Sequence, residues 1–345
     1  MKSLKGVLKN NGFSLILLSV VLSLAMVLVD HTFLSARNIS SVIKSTSYFA
    51  VVAFAQMVVL GIGQFCLAIG PIGCLSAVAY AWLIADLGVP GGIAVIFCFV
   101  MGTLLGFIHG TVTARTGLHP FIVTLAFQSI IQGLATGLLH GRQLTEIPDF
   151  VIAINKEGLL HVGQSVLLPW IFIIMVVVAV VLAIFFKKTS LGHKLLLVGD
   201  SKPAARIAGI KPENIVVMAY TLAGLISSLG GLLGSSRNGC ATVKIGNDWI
   251  LYSFAAPVLG GTLLSGGQVN VFGAVGGALL VQVINYALSF MGVDPYWMQT
   301  VLGLLLVTAF SMDYIRGRLA IRATLKETER EIAQQAAMGG EASGK

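Results

Sequence analysis

Long apolar runs free of Asp, Glu, Lys and Arg constrain this chain more than any other feature. They cover residues 10–29, 45–85, 87–114, 116–141, 158–186, 214–236, 249–293 and 295–312. A helix crossing a bilayer needs about 20 apolar residues, and an Asp, Lys or Arg at its centre costs about 2.5–3.5 kcal/mol. Each run is therefore read as bilayer-buried helix. The runs 45–85 and 249–293 are long enough for two spans each, with breaks expected at Gly70-Pro71-Ile72-Gly73 and Ser265-Gly266-Gly267. The expected fold class is an all-α polytopic membrane protein of ten spans. Only 10% of residues are charged, against roughly a quarter in a soluble domain, so the chain lacks the charge to cover a water-facing surface.

The placement of basic residues gives an orientation, because Lys and Arg concentrate on the cytoplasmic side. With ten spans and both termini inside, Lys2, Lys5, Lys9, Arg115, the six basic residues of 187–211, and Arg316, Arg318, Arg322, Lys326, Arg330 and Lys345 face the interior. Arg37, Lys44, Arg142, Lys156, Arg237 and Lys244 face out, which makes 16 basic residues inside against six outside. The net charge of +8 thus reads as a topology signal, and no nucleic-acid partner is expected. The first run is too long for the core of a signal peptide and lacks a prompt small-x-small cleavage site, so it is expected to stay as a helix. We expect a transmembrane domain over 1–320, with halves of about 10–141 and 158–312, and a polar tail over 321–345.

The halves resemble each other. A shift of 175 residues lays GTLLGFIHGTVTARTGLHP (102–120) on GALLVQVINYALSFMGVDP (277–295), matching Gly102, Leu104, Leu105, Gly117 and Pro120 with Gly277, Leu279, Leu280, Gly292 and Pro295. Gly91-Gly92 likewise meet Gly266-Gly267. The shift maps span 4 on span 9, and an offset of five helices reverses orientation. That predicts two inverted-topology five-helix halves, an arrangement that puts a substrate path near the pseudo-two-fold axis. Small residues at four-residue spacing (Gly102, Gly106, Gly110; Ala223, Ser227, Gly231, Ser235; Gly273, Gly277) predict close helix packing.

Catalytic chemistry is not legible. There is no G-x-x-x-x-G-K-[ST] phosphate loop, no His/Glu zinc pattern and no serine elbow. The four cysteines (Cys66, Cys74, Cys98, Cys240) show no ligand spacing, so no metal site is expected. The spans carry no charged residue, which weighs against proton- or sodium-coupled transport. Neutral polar residues remain: Gln56, Gln64, His109, Gln128, Gln132, Gln282, Asn285 and Gln299. They are read either as interhelical hydrogen-bonding groups or as a weakly polar conduit for an uncharged, hydroxyl-rich solute. The longest polar interior segment is Lys187–Lys211, KKTSLGHKLLLVGDSKPAARIAGIK.

Three segments carry a resemblance over about Phe33 to Arg318. They are HPFIVTLAFQSIIQGLA (119–135), LLVGDSKPAARIAGIKPENI (196–215) and AAPVLGGTLLSGGQVNVFGAVGGALL (255–280). The chain resembles the permease subunits of bacterial ABC importers for ribose, xylose, arabinose and related monosaccharides. The resemblance implies an inner-membrane subunit without enzymatic activity, a second permease subunit, cytoplasmic ATP-binding subunits and a periplasmic solute-binding protein. ATP and Mg would be used by the partner ATPase, with no cofactor on this chain. Residues 187–211 would be the coupling segment, with Gly199, Asp200, Ala204, Ala205, Arg206 and Gly209 as its key positions and a short helix over Ala204–Ile210. The substrate path would involve Gln64, Phe65, Cys66, Gln128, Gln282, Asn285 and Gln299. The family's T-G-G-I-D-L-S-V-G segment here reads IGQFCLAIG (62–70), with Cys66 for Asp and Ala68 for Ser, and Gln268 replaces an Arg. These losses point to a less polar solute or to a partner chain that keeps the missing groups. An amino acid or nucleoside cargo, or a channel or secondary transporter outside the ABC class, stays open as an alternative.

Overall fold

A computed structural model of the chain describes residues 11–162, 165–294, 297–304, 307–308 and 311. The basic residues near both termini, most of the tenth expected span and the 321–345 tail lie outside the described residues.

The chain folds as a helical bundle. In order come α1 (Asn11–Val29), a 3-10 turn (His31–Leu34), α2 (Ala36–Gly61), α3 (Ile69–Ala85), α4 (Gly91–Arg115), α5 (Pro120–Leu139) and α6 (Asp149–Lys156). A hairpin of β1 (Gly158–Val162) and β2 (Ser165–Pro169) follows, then α7 (Trp170–Lys188), α8 (Ser190–Asp200), α9 (Lys202–Ile207), α10 (Pro212–Asn238), α11 (Trp249–Leu259) and α12 (Val271–Phe290). A further helical stretch covers 297–304. Six helices (α2, α4, α5, α7, α10 and α12) are long and apolar enough to cross a membrane, while α1, α3 and α11 are apolar but shorter. This is the architecture of an integral, polytopic membrane protein.

Two details differ from the sequence-based expectation, and a third agrees with it. The run 158–186 does not form one helix: its first third is the antiparallel hairpin, with Gly158 paired to Pro169 and Val162 to Ser165. Pro169 stops helix from extending backwards because it cannot donate a backbone hydrogen bond, so it caps α7 instead. The break in 45–85 lies at Ile62–Ala68, earlier than Gly70–Gly73, which fall inside the first turns of α3. Gly63, at φ 67°, lets the chain leave α2 there, a conformation that a side chain would strain. The run 249–293 breaks at 260–270, around Ser265–Gly267 as expected, with Gly266 and Gly267 both at positive φ.

α2 and α10 form the buried centre, and α4, α5 and α7 bury one side each. The glycine stripes do what their spacing predicts. A Cβ on Gly106 would lie 3.0 Å from Gly224 Cα and one on Gly110 3.0 Å from Val217 Cα, so α4 and α10 touch through backbone. The other side of α10 meets α3, where Gly231 faces the Gly73 carbonyl and Ser235 pairs with Tyr80. Gly273 and Gly277 similarly admit Gly260 and Ala256 to the surface of α12. In a bilayer, where apolar surface gains nothing by leaving lipid, such close packing is what holds helices together.

Candidate functional site: two unwound segments and the α8–α9 arm

Residues 187–211 are not an open loop. Thr189 caps α8, its Oγ1 accepting from Gly192 N at 3.0 Å. Ser201 caps α9, accepting from Ala204 N at 3.3 Å. α9 runs Lys202–Ile207 rather than Ala204–Ile210, since Gly209 turns into the left-handed region at φ 76°. Nothing crowds Gly209 within 4 Å, so the turn requires its glycine and close docking does not. Ala205 is buried against its own chain, while Ala204, Ala208 and Ile207 face outward. Ile207 is the most exposed large apolar side chain among the described residues, at 90%. Arg206 turns back to Glu213 on the first turn of α10, Nη2 to Oε1 2.6 Å, which ties α9 to that helix.

The other end of this arm reaches the membrane helices. A Cβ on Gly199 would overlap the Gly61 carbonyl and lie 2.6 Å from Gly267 N. Gly267 N itself donates to Gly61 O at 3.1 Å. A Cβ on Gly266 would lie 2.6 Å from Gly63 N and 2.8 Å from Gly199 O, and one on Gly267 would lie 2.9 Å from Asp200 Cβ. The end of α8, the break after α2 and the break before α12 therefore meet backbone to backbone. At Gly61, Gly199, Gly266 and Gly267 the three segments approach with no flexible side chain between them.

The 62–68 segment holds three of the expected path residues side by side. Gln64 is buried and lines a cavity of about 360 Å³ at the α8–α9 end, together with Thr113, His119, Lys202, Arg206 and Glu213. Phe65 is 37% exposed and packs its ring on Phe254 at 5.7 Å, while its carbonyl accepts from Tyr220 Oη at 3.3 Å. Cys66 is buried with Sγ 3.8 Å from His109 Nδ1. The remaining expected residues are elsewhere. Gln128 is half-buried on α5, and Gln282 and Asn285 are buried on α12, where Asn285 Nδ2 donates to Tyr252 Oη at 2.9 Å. Gln299 is exposed. Gln268, at the family's Arg position, is exposed on the 260–270 segment and accepts from Leu263 N through its carbonyl.

Sequence reasoning did not single out Gly61 and Tyr220, nor His109 from the other neutral polar groups. No spacing signal marks them: Gly61 meets Gly199, Tyr220 meets Phe65 and His109 meets Tyr220 across more than 100 residues, and His109 reaches Cys66 across 43. Cys66, Cys74 and Cys98 are buried, as their apolar surroundings predict, and all four cysteines are free. Among the described residues no three His, Cys, Asp or Glu gather as a metal-binding group.

Residues 38–310 match a family described as the permease component of branched-chain amino acid transport systems. The chain is 32% identical to the fructose import permease FrcC of Rhizobium meliloti, over 86% of this chain and 84% of that one. It is 31% identical to the ribose import permease RbsC of Bacillus subtilis, over 85% and 89%. It is 28% identical to the galactose/methyl galactoside import permease MglC of Salmonella typhimurium, over 90% and 95%. No solved structure matches the chain. With the family pattern extending from α2 to the last helical stretch and relatives aligned along most of both chains, this protein belongs to the permease subunits of monosaccharide-type ABC importers.

Proposed function

We propose that this chain passes a sugar, or a similar small neutral solute, from a periplasmic binding protein across the bacterial inner membrane, driven by ATP that separate cytoplasmic subunits hydrolyse with Mg. The contact of Gly199 with Gly61 and Gly267 carries the proposal. It gives a force applied at α8–α9 a direct route into both unwound segments, one of which holds Gln64, Phe65 and Cys66. The chain itself is then a conduit and not an enzyme, paired with a second permease subunit. A sugar cargo is favoured because the fructose, ribose and galactose permeases align along most of their length. An amino acid is the second reading, favoured by the description of the family.

The ten-span, inverted-repeat topology belongs to the same proposal. Gly70 and Gly246 lie 176 residues apart, and each packs its backbone on the other. The 175-residue shift relates Gly70 to Ile245, next to Gly246, so this contact falls beside a repeat-related pair, as it would near the pseudo-two-fold axis. α8–α9 then face the cytoplasm and the hairpin faces out.

Ile207 tests the coupling role. As a bare apolar group beside Lys202 and Arg206, it suits a hydrophobic groove with an acidic rim on the ATP-binding subunit. Ile207→Ser alters no charge and no buried contact, so membrane insertion should be normal. We expect at least a tenfold drop in recovery of the ATP-binding subunit in detergent, since apolar anchors buried in a pocket dominate such interfaces. Unchanged recovery and unchanged solute-stimulated hydrolysis would reject the coupling role of α9.

A further inference from the structure

His109 is wholly buried on α4, at 0% exposure. Its ring is stacked on Phe127 of α5, with centroids 4.6 Å apart and planes at 15°, and it also meets Tyr220 of α10 at 4.6 Å. Nδ1 faces the Cys66 thiol. Nε2 is buried with no protein partner, and so is Oε1 of Gln64, two residues before Cys66 and at the wall of the inner cavity. An unsatisfied buried polar atom is costly, and an apolar ring would fill the slot between Phe127 and Tyr220 without that cost. The packing therefore explains why a ring is there, but not why it is an imidazole.

We infer that His109 Nε2 and Gln64 Oε1 are recognition groups for a solute hydroxyl, which makes His109 a specificity-determining residue of the transport path. This rests on the proposed transport function. Gln64 Oε1 can only accept a hydrogen bond. If the thiol donates to Nδ1, Nε2 carries the proton and donates; in the other tautomer Nε2 accepts. In the first tautomer one hydroxyl accepts from Nε2 and donates to Gln64 Oε1; in the second both atoms accept and take two hydroxyl donors, so a neutral molecule with several hydroxyls is the chemistry that satisfies both atoms. Because Thr113, one turn along α4, and Gln64 both line the cavity that opens beside α9, His109 lies one turn beyond the cavity floor. The 62–68 segment closes over it here, and movement of that segment through the Gly61–Gly199 contact would open the way. Two neutral hydrogen-bonding atoms hold a solute weakly, as a conduit requires.

The cysteines supply a test on the unmodified sequence. Membranes holding the whole transporter are treated with the water-borne thiol reagent methanethiosulfonate ethylammonium, with and without ATP, and each cysteine is read separately by peptide mass mapping. Cys66 should label during turnover at least tenfold faster than without ATP, while the buried Cys74 and Cys98 stay unlabelled in both conditions. A Cys66 as inert as Cys74 in both conditions would overturn the inference. In the second arm, uptake of ribose, fructose and galactose is measured for His109→Phe and His109→Gln. For any of these sugars that the wild type carries, Phe should raise KM about tenfold and Gln, which keeps a donor and an acceptor, by less. Co-purification of the ATP-binding subunit should be unchanged for both. A KM unaffected by His109→Phe overturns the inference and leaves the transport reading standing. Failure of the wild type to recover an ATP-binding subunit overturns the transport reading and this inference with it, whereas failure to carry any of the three sugars overturns the sugar cargo on which this inference rests. If the Phe variant does not fold, the labelling arm decides alone.

Discussion

The two ends of this bundle differ in how their buried groups meet. Toward the hairpin end several polar groups are paired through side chains, and Thr46 Oγ1, Asn155 Oδ1 and Asn285 Oδ1 are buried without a protein partner. Trp249 Nε1 donates to Tyr48 Oη at 2.9 Å, Arg237 lies 5.5 Å over the Tyr48 ring, Asn285 donates to Tyr252, and Ser45 meets Tyr286 at 3.1 Å. Ser236 reaches from α10 to the Val151 carbonyl of α6. At the α8–α9 end the contacts are glycine on glycine, and His109 Nε2 and Gln64 Oε1 have no protein partner. Satisfied side-chain networks fix one arrangement, because breaking them strands buried polar atoms. The contact between the unwound segments rests on one backbone hydrogen bond, Gly267 N to Gly61 O, and on close backbone packing. On the proposed coupling role, the comparison assigns the frame to the hairpin end and the moving part to the α8–α9 end.

The largest expected effect is at the movable end. Gly199→Ala places a methyl against the Gly61 carbonyl and the Gly267 amide, and backbone cannot swing aside as a side chain does. Overpacking of this kind costs about 1–3 kcal/mol. We expect folded protein in reduced yield, with solute-stimulated hydrolysis lost while α9 still binds the ATP-binding subunit. Coupled hydrolysis at the wild-type rate would show that force does not pass through this contact.

Next comes Cys66→Asp. Cys66 faces His109 and not lipid, so the carboxylate meets an imidazole instead of hydrocarbon. The variant should change which sugar is carried, or its rate, by severalfold while inserted protein stays near the wild-type amount. A collapse in folded protein with no change in selectivity would reassign the segment to the rigid frame.

Trp249→Phe tests the paired end. It keeps the ring close to Gly73 and Gly230 but removes the donor to Tyr48, a loss of about 1 kcal/mol. The expected result is a lower unfolding midpoint in detergent with an unchanged KM. A changed KM with no loss of stability would place this network in the path and dissolve the distinction between the ends.

Legibility in the sequence follows the same division. Charge-free runs reveal spans because hydrocarbon excludes charge at every position of a buried helix. Glycine stripes revealed that α4, α10 and α12 pack closely, because close approach recurs every four residues, but not which helices they meet. The break at 260–270 was readable from three adjacent small residues. Its counterpart was misplaced by several residues, because Gly70 and Gly73 are helical glycines used for packing, while the exit from α2 depends on Gly63 alone. The hairpin was invisible because β-strand and membrane helix draw on the same apolar residues, and only Pro169 separates them. The path residues scattered for a related reason: a Gln on an apolar helix has the same local signature whether it lines a cavity, as Gln64 does, or faces outward, as Gln299 does.

The smallest expected effect compares two ion pairs, one at each end. Arg142 Nη2 lies 3.1 Å from Asp86 Oδ2, joining the residues after α5 to the end of α3, and its side chains are 55% and 32% exposed. Arg206 and Glu213 are 2.6 Å apart and 67% and 44% exposed. Pairs this open to water contribute about 0–1 kcal/mol, and salt screens them further. Arg142→Gln and Glu213→Gln should therefore each lower stability only slightly, with the difference fading in 1 M salt. Function should tell them apart. The outer pair holds a frame that other contacts already hold, so Arg142→Gln leaves transport unaltered. The inner pair fixes the angle at which α9 leaves α10, so Glu213→Gln should weaken solute-stimulated hydrolysis by about two- to fivefold at constant folded yield. If both substitutions prove silent in transport, α9 needs no orientation by α10. The movable end would then begin at α8, with Gly199 as its first fixed point.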